Sequence, residues 1–146
     1  MPAFQIADAA FDLANVRQQL QVGHAGAYAS FEGWVRDSNQ GRPVHALTYQ
    51  AYRSLAEAEG GRLINEALAR FAIIDAACVH RVGRLELAEL AVWVGVTAGH
   101  RDAAFAACRW IIDEVKSRLP IWKHEHYADG EARWLHPSPD PEQAGR

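Results

Sequence analysis

The stretch LAVWVGVTA, Leu90–Ala98, is almost unbroken in apolar and β-favouring residues. An apolar run bounded by polar residues on both sides predicts a central strand rather than an edge strand. The sequence then turns through GHRD into AAFAACRWIIDEVKSRL. In that run Phe105, Cys108, Ile112, Val115 and Leu119 recur at helical spacing and predict a buried stripe. Asp102 sits where an N-cap or first-turn carboxylate favours a helix start. Pro120 ends the helix, because its ring cannot continue the hydrogen-bond ladder.

The flanking segments predict a mixture of elements. Asp8 to Leu20 has a helical apolar period, which Gly23 and Gly26 break. Ala27 to Arg36 alternates, with Phe31 and Val35 on one face and Tyr28, Trp34 and Arg36 on the other, and predicts a strand. DSNQGRP is a loop by its turn formers. Val44 to Tyr52 is the next strand, and a long-looped hairpin between the two is expected. Ser54 to Phe71 is helical, with Leu63, Ile64, Ala67, Leu68 and Phe71 as its stripe. Gly60-Gly61 lies inside that helix at a cost of roughly 1 kcal/mol per glycine relative to alanine, and marks close packing or a bend. Ile73 to Val82 is rich in β-formers. IWKHEHY and EARWLH are extended and joined by the turn ADG. Helices and strands intermingle without a regular βαβ alternation, so the expected class is α+β.

The chain has 146 residues, which suits one domain over 1–135, with a polar, proline-rich segment 136–146 expected to be disordered. Hydrophobic residues make up 49%, enough for a core of that size. A formal net charge of −3 argues against a general nucleic-acid or membrane-surface binder, but leaves room for a local cationic pocket. Cys78 and Cys108 stand far apart without C-x-x-C or zinc-type spacing, and are expected to be buried thiols in a reducing compartment. No signal peptide or apolar span is visible, so a cytoplasmic protein is expected.

Three segments place cations beside glycine and aromatics at the ends of predicted elements: GWVRDSNQGR, TAGHRD and KSRLPIWKHE. His100 and Arg101 precede a helix, where backbone N–H groups favour anions; the alternative is a solvated surface turn. Lys116 lies at the edge of the helix's buried stripe, where desolvation and neighbouring cations lower a lysine's pKa and fit it for acid, base or nucleophile chemistry. The alternative is that Lys116 and Arg118 are C-terminal helix cations favoured by the macrodipole. That alternative does not account for Lys123, beyond the proline and beside Trp122. Arg36, Glu125 and Arg133 are further pocket candidates, each with a solvated alternative. His24, His45, His80, His126 and His136 show no ligand spacing and are expected to be structural or surface residues. No P-loop or dinucleotide fingerprint occurs. The residues alone point to a composite cationic pocket for a small anion.

The ordered blocks FEGWVR, Asn39-Gln40-Gly41, Ala46-Leu47-Thr48, HRVGRL, VGVTAGHR, KSRLPIWKHE and Arg133-Trp134 resemble the large, catalytic subunit of molybdopterin synthase, the MoaE family. They span Phe31 to Trp134. The resemblance implies an α+β fold with a hammerhead-like β element and a sulfurtransferase. Such an enzyme adds two sulfurs to cyclic pyranopterin monophosphate to form the molybdopterin dithiolene in molybdenum cofactor biosynthesis. The sulfur donor would be the C-terminal Gly-Gly thiocarboxylate of a small ubiquitin-like subunit. The large subunit would form a homodimer within a heterotetramer, with a pocket that draws on both large subunits.

Carried over by motif, Lys116 is implied as the residue of direct chemistry, and Lys123 as catalytic or substrate-holding. Arg36, His100 and Arg101 are implied to bind phosphate and pterin, Arg133 to complete the pocket, and Glu125 to orient Lys123 or Arg36. No cofactor or metal is implied, and neither cysteine is required. A non-catalytic anion-binding or scaffold subunit of the same fold is the alternative. The chain departs from the family at Ala88, where a turn glycine is usual, and alanine resists the positive φ such a turn needs. Gly99 stands where alanine is common, which is expected to loosen the turn before His100-Arg101.

Overall fold

The computed structural model describes residues 2–130 and 132–135. In chain order the elements are β1 (Phe4–Ala7), α1 (Leu13–Gln18), β2 (Ala27–Trp34), β3 (Ser38–Asn39), β4 (Arg42–Ala51), α2 (Arg53–Arg70), β5 (Ile73–Arg81), β6 (Gly83–Glu86), β7 (Leu90–Ala98), α3 (Arg101–Arg118), β8 (Ile121–Tyr127) and β9 (Ala132–Leu135). They form one α+β domain with two sheets. The expected 136–146 tail lies outside the described residues.

The first sheet runs β1-β5-β7-β2, parallel between β1 and β5 and antiparallel elsewhere. The run at Leu90–Ala98 is interior, as expected. Its near-continuous apolarity has a direct cause, since both faces are covered. Val92, Val94 and Val96 share a core with Leu63 and Ile64 of α2 and with Ile111 and Val115 of α3. Trp93 on the opposite face packs with Val16 and Leu20 around α1. Cys78 and Cys108 are buried free thiols, as read from their spacing, and burial pushes both thiols up, Cys108 to about 11.

The second sheet runs β3-β4-β8-β9, with β6 also paired to β4, and is the hammerhead-like element. The expected hairpin of β2 with β4 does not form. β2 pairs with β7 in the first sheet and β4 with β8 in the second. The intervening loop instead folds a tight hairpin of its own. β3 and β4 are joined by Gln40 and Gly41, both at positive φ (52° and 80°), the pattern of a two-residue hairpin turn that follows the strands' twist.

Other boundaries moved for local reasons. The first helix begins only at Leu13, because the Asp12 carboxylate caps the amides of Ala14 and Asn15. The chain before it is strand β1, which the helical reading of residues 8–20 did not include. Phe105 is 64% exposed rather than part of the α3 stripe, whose actual members include Ala104, Ala107, Cys108, Ile111 and Ile112. Leu68 is likewise exposed on α2. Gly60 is buried because α2 crosses β1 there: a Cβ would stand 2.2 Å from the Phe4 ring. Close packing, not a bend, explains that glycine. Ala88 does adopt the left-handed conformation, at φ 67°, held by its amide donating to the Val35 carbonyl. Gly99 has no positive φ and open space where a side chain would point.

Candidate functional site

The two sheets meet at a cavity of about 380 Å³. The end of β2 and the segment after it bring Phe31, Trp34 and Arg36 to its rim. β4 contributes Leu47 and Tyr49, the last turns of α3 contribute Lys116, and β8 contributes Lys123 and Glu125. Pro120 is what makes this possible. Standing two residues beyond Arg118, it ends α3 there, so the chain reverses into β8 and returns Lys123 to the same cavity as Lys116.

Alternation along β8 sorts its side chains. Lys123, Glu125 and Tyr127 face the interior side, while Trp122, His124 and His126 face outward. Arg118 turns the other way, on the face of α3 that meets α2. It bonds Glu59 at 2.7 Å and Glu66 at 2.6 Å. The helix-terminus explanation therefore suits Arg118, whereas Lys116 is directed at the cavity.

Glu125 anchors the floor. It is only 1% exposed, and it accepts from Asn39 Nδ2 at 2.9 Å on both carboxylate oxygens. Lys123 Nζ lies 3.0 Å from Oε1. Burial alone would raise this carboxyl. The Tyr127 hydroxyl, the Lys123 charge and the Asn39 amide together outweigh burial and hold it below the usual carboxylate range. Glu125 thus stays ionised and offsets part of the charge of three cations.

Lys116 is held below the ordinary lysine value, first by burial and then by the charges of Lys123 and Arg36, with Asp113 opposing. Tyr49 is pushed up to about 12 by burial and by Glu125, so its phenol stays protonated. An ammonium with a lowered pKa, a second ammonium fixed by a buried carboxylate and a guanidinium on the rim are chemically suited to an anion that exchanges protons. Among the described residues, no group of three or more His, Cys, Asp or Glu side chains is placed to hold a metal.

The structure brings together Arg36, Lys116, Lys123 and Glu125. It does not bring His100 and Arg101 to them. Those two residues are exposed at the start of α3, and the fifteen positions from Arg101 to Lys116 span roughly 22 Å of helix. The backbone of Arg133 is paired opposite Glu125 across β8 and β9, and its side chain lies outside the described residues. Reading the sequence for charge missed Asn39 as a site residue, along with Tyr49 and Tyr127. Their signal was the N-x-G turn and the alternation of β4 and β8, neither of which announces a pocket.

A second groove of about 360 Å³ runs between β2 and α3. Ala29, Phe105, Cys108 and Ile112 form its apolar wall, Ser30, Arg109 and Asp113 line it beside them, and it shares Phe31 and Lys116 with the cavity. Lys116 therefore stands where a largely apolar groove borders the charged cavity.

Known proteins share this chain's sequence pattern and fold. The family model described as "MoaE protein" matches residues 6–118. A molybdopterin synthase catalytic subunit of Pyrococcus abyssi is 51% identical over 121 residues, covering 83% of this chain and 82% of that protein. One of Ralstonia nicotianae is 41% identical over 137 residues, covering 92% and 77%. Among solved structures, molybdopterin synthase from Staphylococcus aureus superposes with a TM-score of 0.87 at 29% identity, covering 92% of this chain and 98% of that one. The MoaE protein of Burkholderia ambifaria gives 0.82 at 36% identity, covering 100% and 97%. The fold is also that of a chain in a complex of subunits 1 and 2 of the Helicobacter pylori molybdopterin-converting factor, at a TM-score of 0.73 and 17% identity over 94% and 91%. With a family match over residues 6–118, relatives 51% and 41% identical over more than three quarters of both chains, and solved structures of the same fold, the chain belongs to the MoaE protein family.

Proposed function

We propose that this chain is the catalytic subunit of a molybdopterin synthase. In this reading it transfers two sulfurs from the C-terminal thiocarboxylate of a small ubiquitin-like subunit to cyclic pyranopterin monophosphate. The observation that carries the reading is the convergence of Lys116, Lys123 and Arg36 on one cavity over a buried, ionised Glu125. A substrate with a cyclic phosphate and a donor ending in a thiocarboxylate both need cations at the point of reaction.

The apolar groove fits the donor. An extended tail ending in Gly-Gly has no side chains at its tip, so it can lie between β2 and α3 and deliver its terminal carbonyl to Lys116. There the ammonium stabilises charge developing on the carbonyl oxygen and, with its lowered pKa, passes a proton. Lys123, fixed by Glu125, holds the pterin phosphate with Arg36.

His100 and Arg101 stand too far along α3 to serve their own cavity. In this reading they serve the cavity of a second copy in a homodimer, and Arg133 on β9 completes the chamber beside Glu125.

The test is single-turnover dithiolene formation with a thiocarboxylated small partner and cyclic pyranopterin monophosphate, with Lys116→Ala in parallel. Product from wild type and none from the variant, with partner binding intact, is the expected result. Binding of both ligands without product would make the chain a scaffold subunit.

A further inference from the structure

Among the described residues lining the cavity, Tyr49 is the one phenol. On β4 its Cα is paired with Lys123 of β8 on one side and Gly83 of β6 on the other. Its side chain shares the interior face with Leu47 and lines the cavity together with Lys116, Lys123 and Glu125. It packs against both the helix-covered core and the core of the second sheet, so it sits at the joint between the two sheets.

His80, on β5, stands behind it. The rings meet edge to face, with centroids 4.9 Å apart and planes at 76°. His80 is buried, and its Nδ1 lies 2.8 Å from the Arg81 carbonyl oxygen. A carbonyl only accepts, so Nδ1 carries the hydrogen and Nε2 is left as an acceptor. Burial holds this imidazole down to about 4, so it is neutral at physiological pH.

The cavity is therefore not uniformly cationic. Among the described residues its cations are Arg36, Lys116 and Lys123, its anions are the buried Glu125 and the exposed Glu32, and Tyr49 with His80 behind it forms a neutral polar wall. A phosphate needs only the cations. A flat heterocycle attached to it needs a neutral donor or acceptor to fix its edge, because ammonium groups attract it without orienting it.

We propose that Tyr49 is a substrate-binding residue whose hydroxyl hydrogen-bonds the heterocyclic part of the bound pterin. His80 is a positioning residue that holds the Tyr49 ring edge-on for that contact. This rests on the functional reading given above. It adds a residue that fixes the orientation of the ring system, apart from those that hold the phosphate.

The ring of Tyr49 also supports the fold, so the informative change is Tyr49→Phe, which keeps the ring and removes only the hydroxyl. In the assembled enzyme with thiocarboxylated partner, Tyr49→Phe is expected to raise KM for cyclic pyranopterin monophosphate about three- to tenfold, the range of one neutral hydrogen bond. kcat should change less, and the thermal midpoint should stay close to that of wild type. Binding of inorganic phosphate, followed by calorimetry, is expected to be unchanged, because the cations are intact. His80→Ala should reproduce the rise in KM, and His80→Phe, which restores a ring wall, should largely reverse it.

An unchanged KM in Tyr49→Phe would overturn the proposal and leave Tyr49 a packing residue. An equal loss of phosphate and pterin binding would overturn it too, by showing general damage to the cavity. If wild type neither binds the pterin nor turns over, the functional reading itself fails, and this proposal with it. Normal wild-type turnover with a silent Tyr49→Phe would sink the proposal alone.

Discussion

Asn39 and Glu125 are 86 positions apart in sequence, yet one amide nitrogen of Asn39 lies 2.9 Å from each oxygen of the Glu125 carboxylate. The bond ties the β3–β4 turn to the middle of β8 and sets the carboxylate that holds Lys123. Hydrogen bonds to a charged group contribute more than neutral ones, so Asn39→Ala is expected to cost about 2 kcal/mol in urea unfolding. Glu125→Ala should cost more, roughly 3–5 kcal/mol, because it leaves a half-buried Lys123 without its counter-charge. Glu125 titrates low when folded, so its contribution is complete above the ordinary carboxylate pKa and disappears as pH falls through the folded value. A urea midpoint for Asn39→Ala within error of wild type would show the bond to be energetically idle.

Lys116 is expected to titrate below the ordinary lysine value of about 10.4. Burial is the main cause and Lys123 the next. Lys123→Gln should therefore raise the Lys116 pKa towards normal without restoring it fully, and Arg36→Gln should do so less. The pH dependence of Lys116 labelling by an amine-reactive probe reads this directly, independent of turnover. A Lys116 that titrates normally in wild type would remove the physical basis for its acid–base role.

Charge and turn chemistry were legible in the sequence, and long-range pairing was not. The helix ending at Pro120, the strand at Leu90–Ala98 and the β8–β9 turn all follow from local signals, and the structure has each of them. The β2–β4 hairpin was the natural local guess. It failed because β2 gains more by burying beside β7, a partner named nowhere in its own neighbourhood. The site divides the same way. Arg36, Lys116, Lys123 and Glu125 were readable as charges out of place. Asn39, Tyr49 and Tyr127 look like turn and strand residues until the two sheets are brought together. His100 and Arg101 were readable as an anion-favouring pair, but the length of α3, not their chemistry, separates them from the cavity.

Neighbouring glycines in α2 should respond with opposite sign. A Cβ at Gly60 would overlap the Phe4 ring, so Gly60→Ala must push β1 away or bend α2, and is expected to destabilise by about 1–3 kcal/mol. Gly61 has open space at the same point, so Gly61→Ala should stabilise by about 0.5–1 kcal/mol through helix propensity alone. Denaturant midpoints of the two variants, measured side by side, test the α2–β1 crossing. A stabilising Gly60→Ala would place Phe4 elsewhere.

Ala88 holds a conformation that costs an L-residue roughly 1–2 kcal/mol. Its amide donates to the Val35 carbonyl at 2.7 Å, and Val35 in turn donates to Glu89, so the turn is held by the strand beside it. Ala88→Gly relieves the strain but loosens the unfolded chain, and a net gain of about 1 kcal/mol is expected. Ala88 lines neither the cavity nor the groove, so turnover should be unchanged. A loss of stability on Ala88→Gly would mean that the turn does not require a positive φ.

His80 predicts a pH dependence in a window of its own. Folded, it titrates at about 4 because it is buried; unfolded, it returns to 6.5. Between those values the unfolded chain takes up a proton that the folded one refuses, so stability falls as pH drops from 6.5 towards 4. The integrated loss is about 3 kcal/mol. His126 is lowered in the same direction, by burial first and then by His124, Arg84 and His45, and it adds to the slope. Glu125 acts only at lower pH, so the two effects separate along the axis. Urea midpoints taken from pH 7.5 to pH 4.5 should fall steadily in wild type. His80→Phe has no imidazole to protonate at that site, and its curve should be distinctly flatter across the window even if its absolute stability differs. Parallel slopes for the two proteins would show that His80 is accessible to protons in the folded state and is not the neutral wall behind Tyr49.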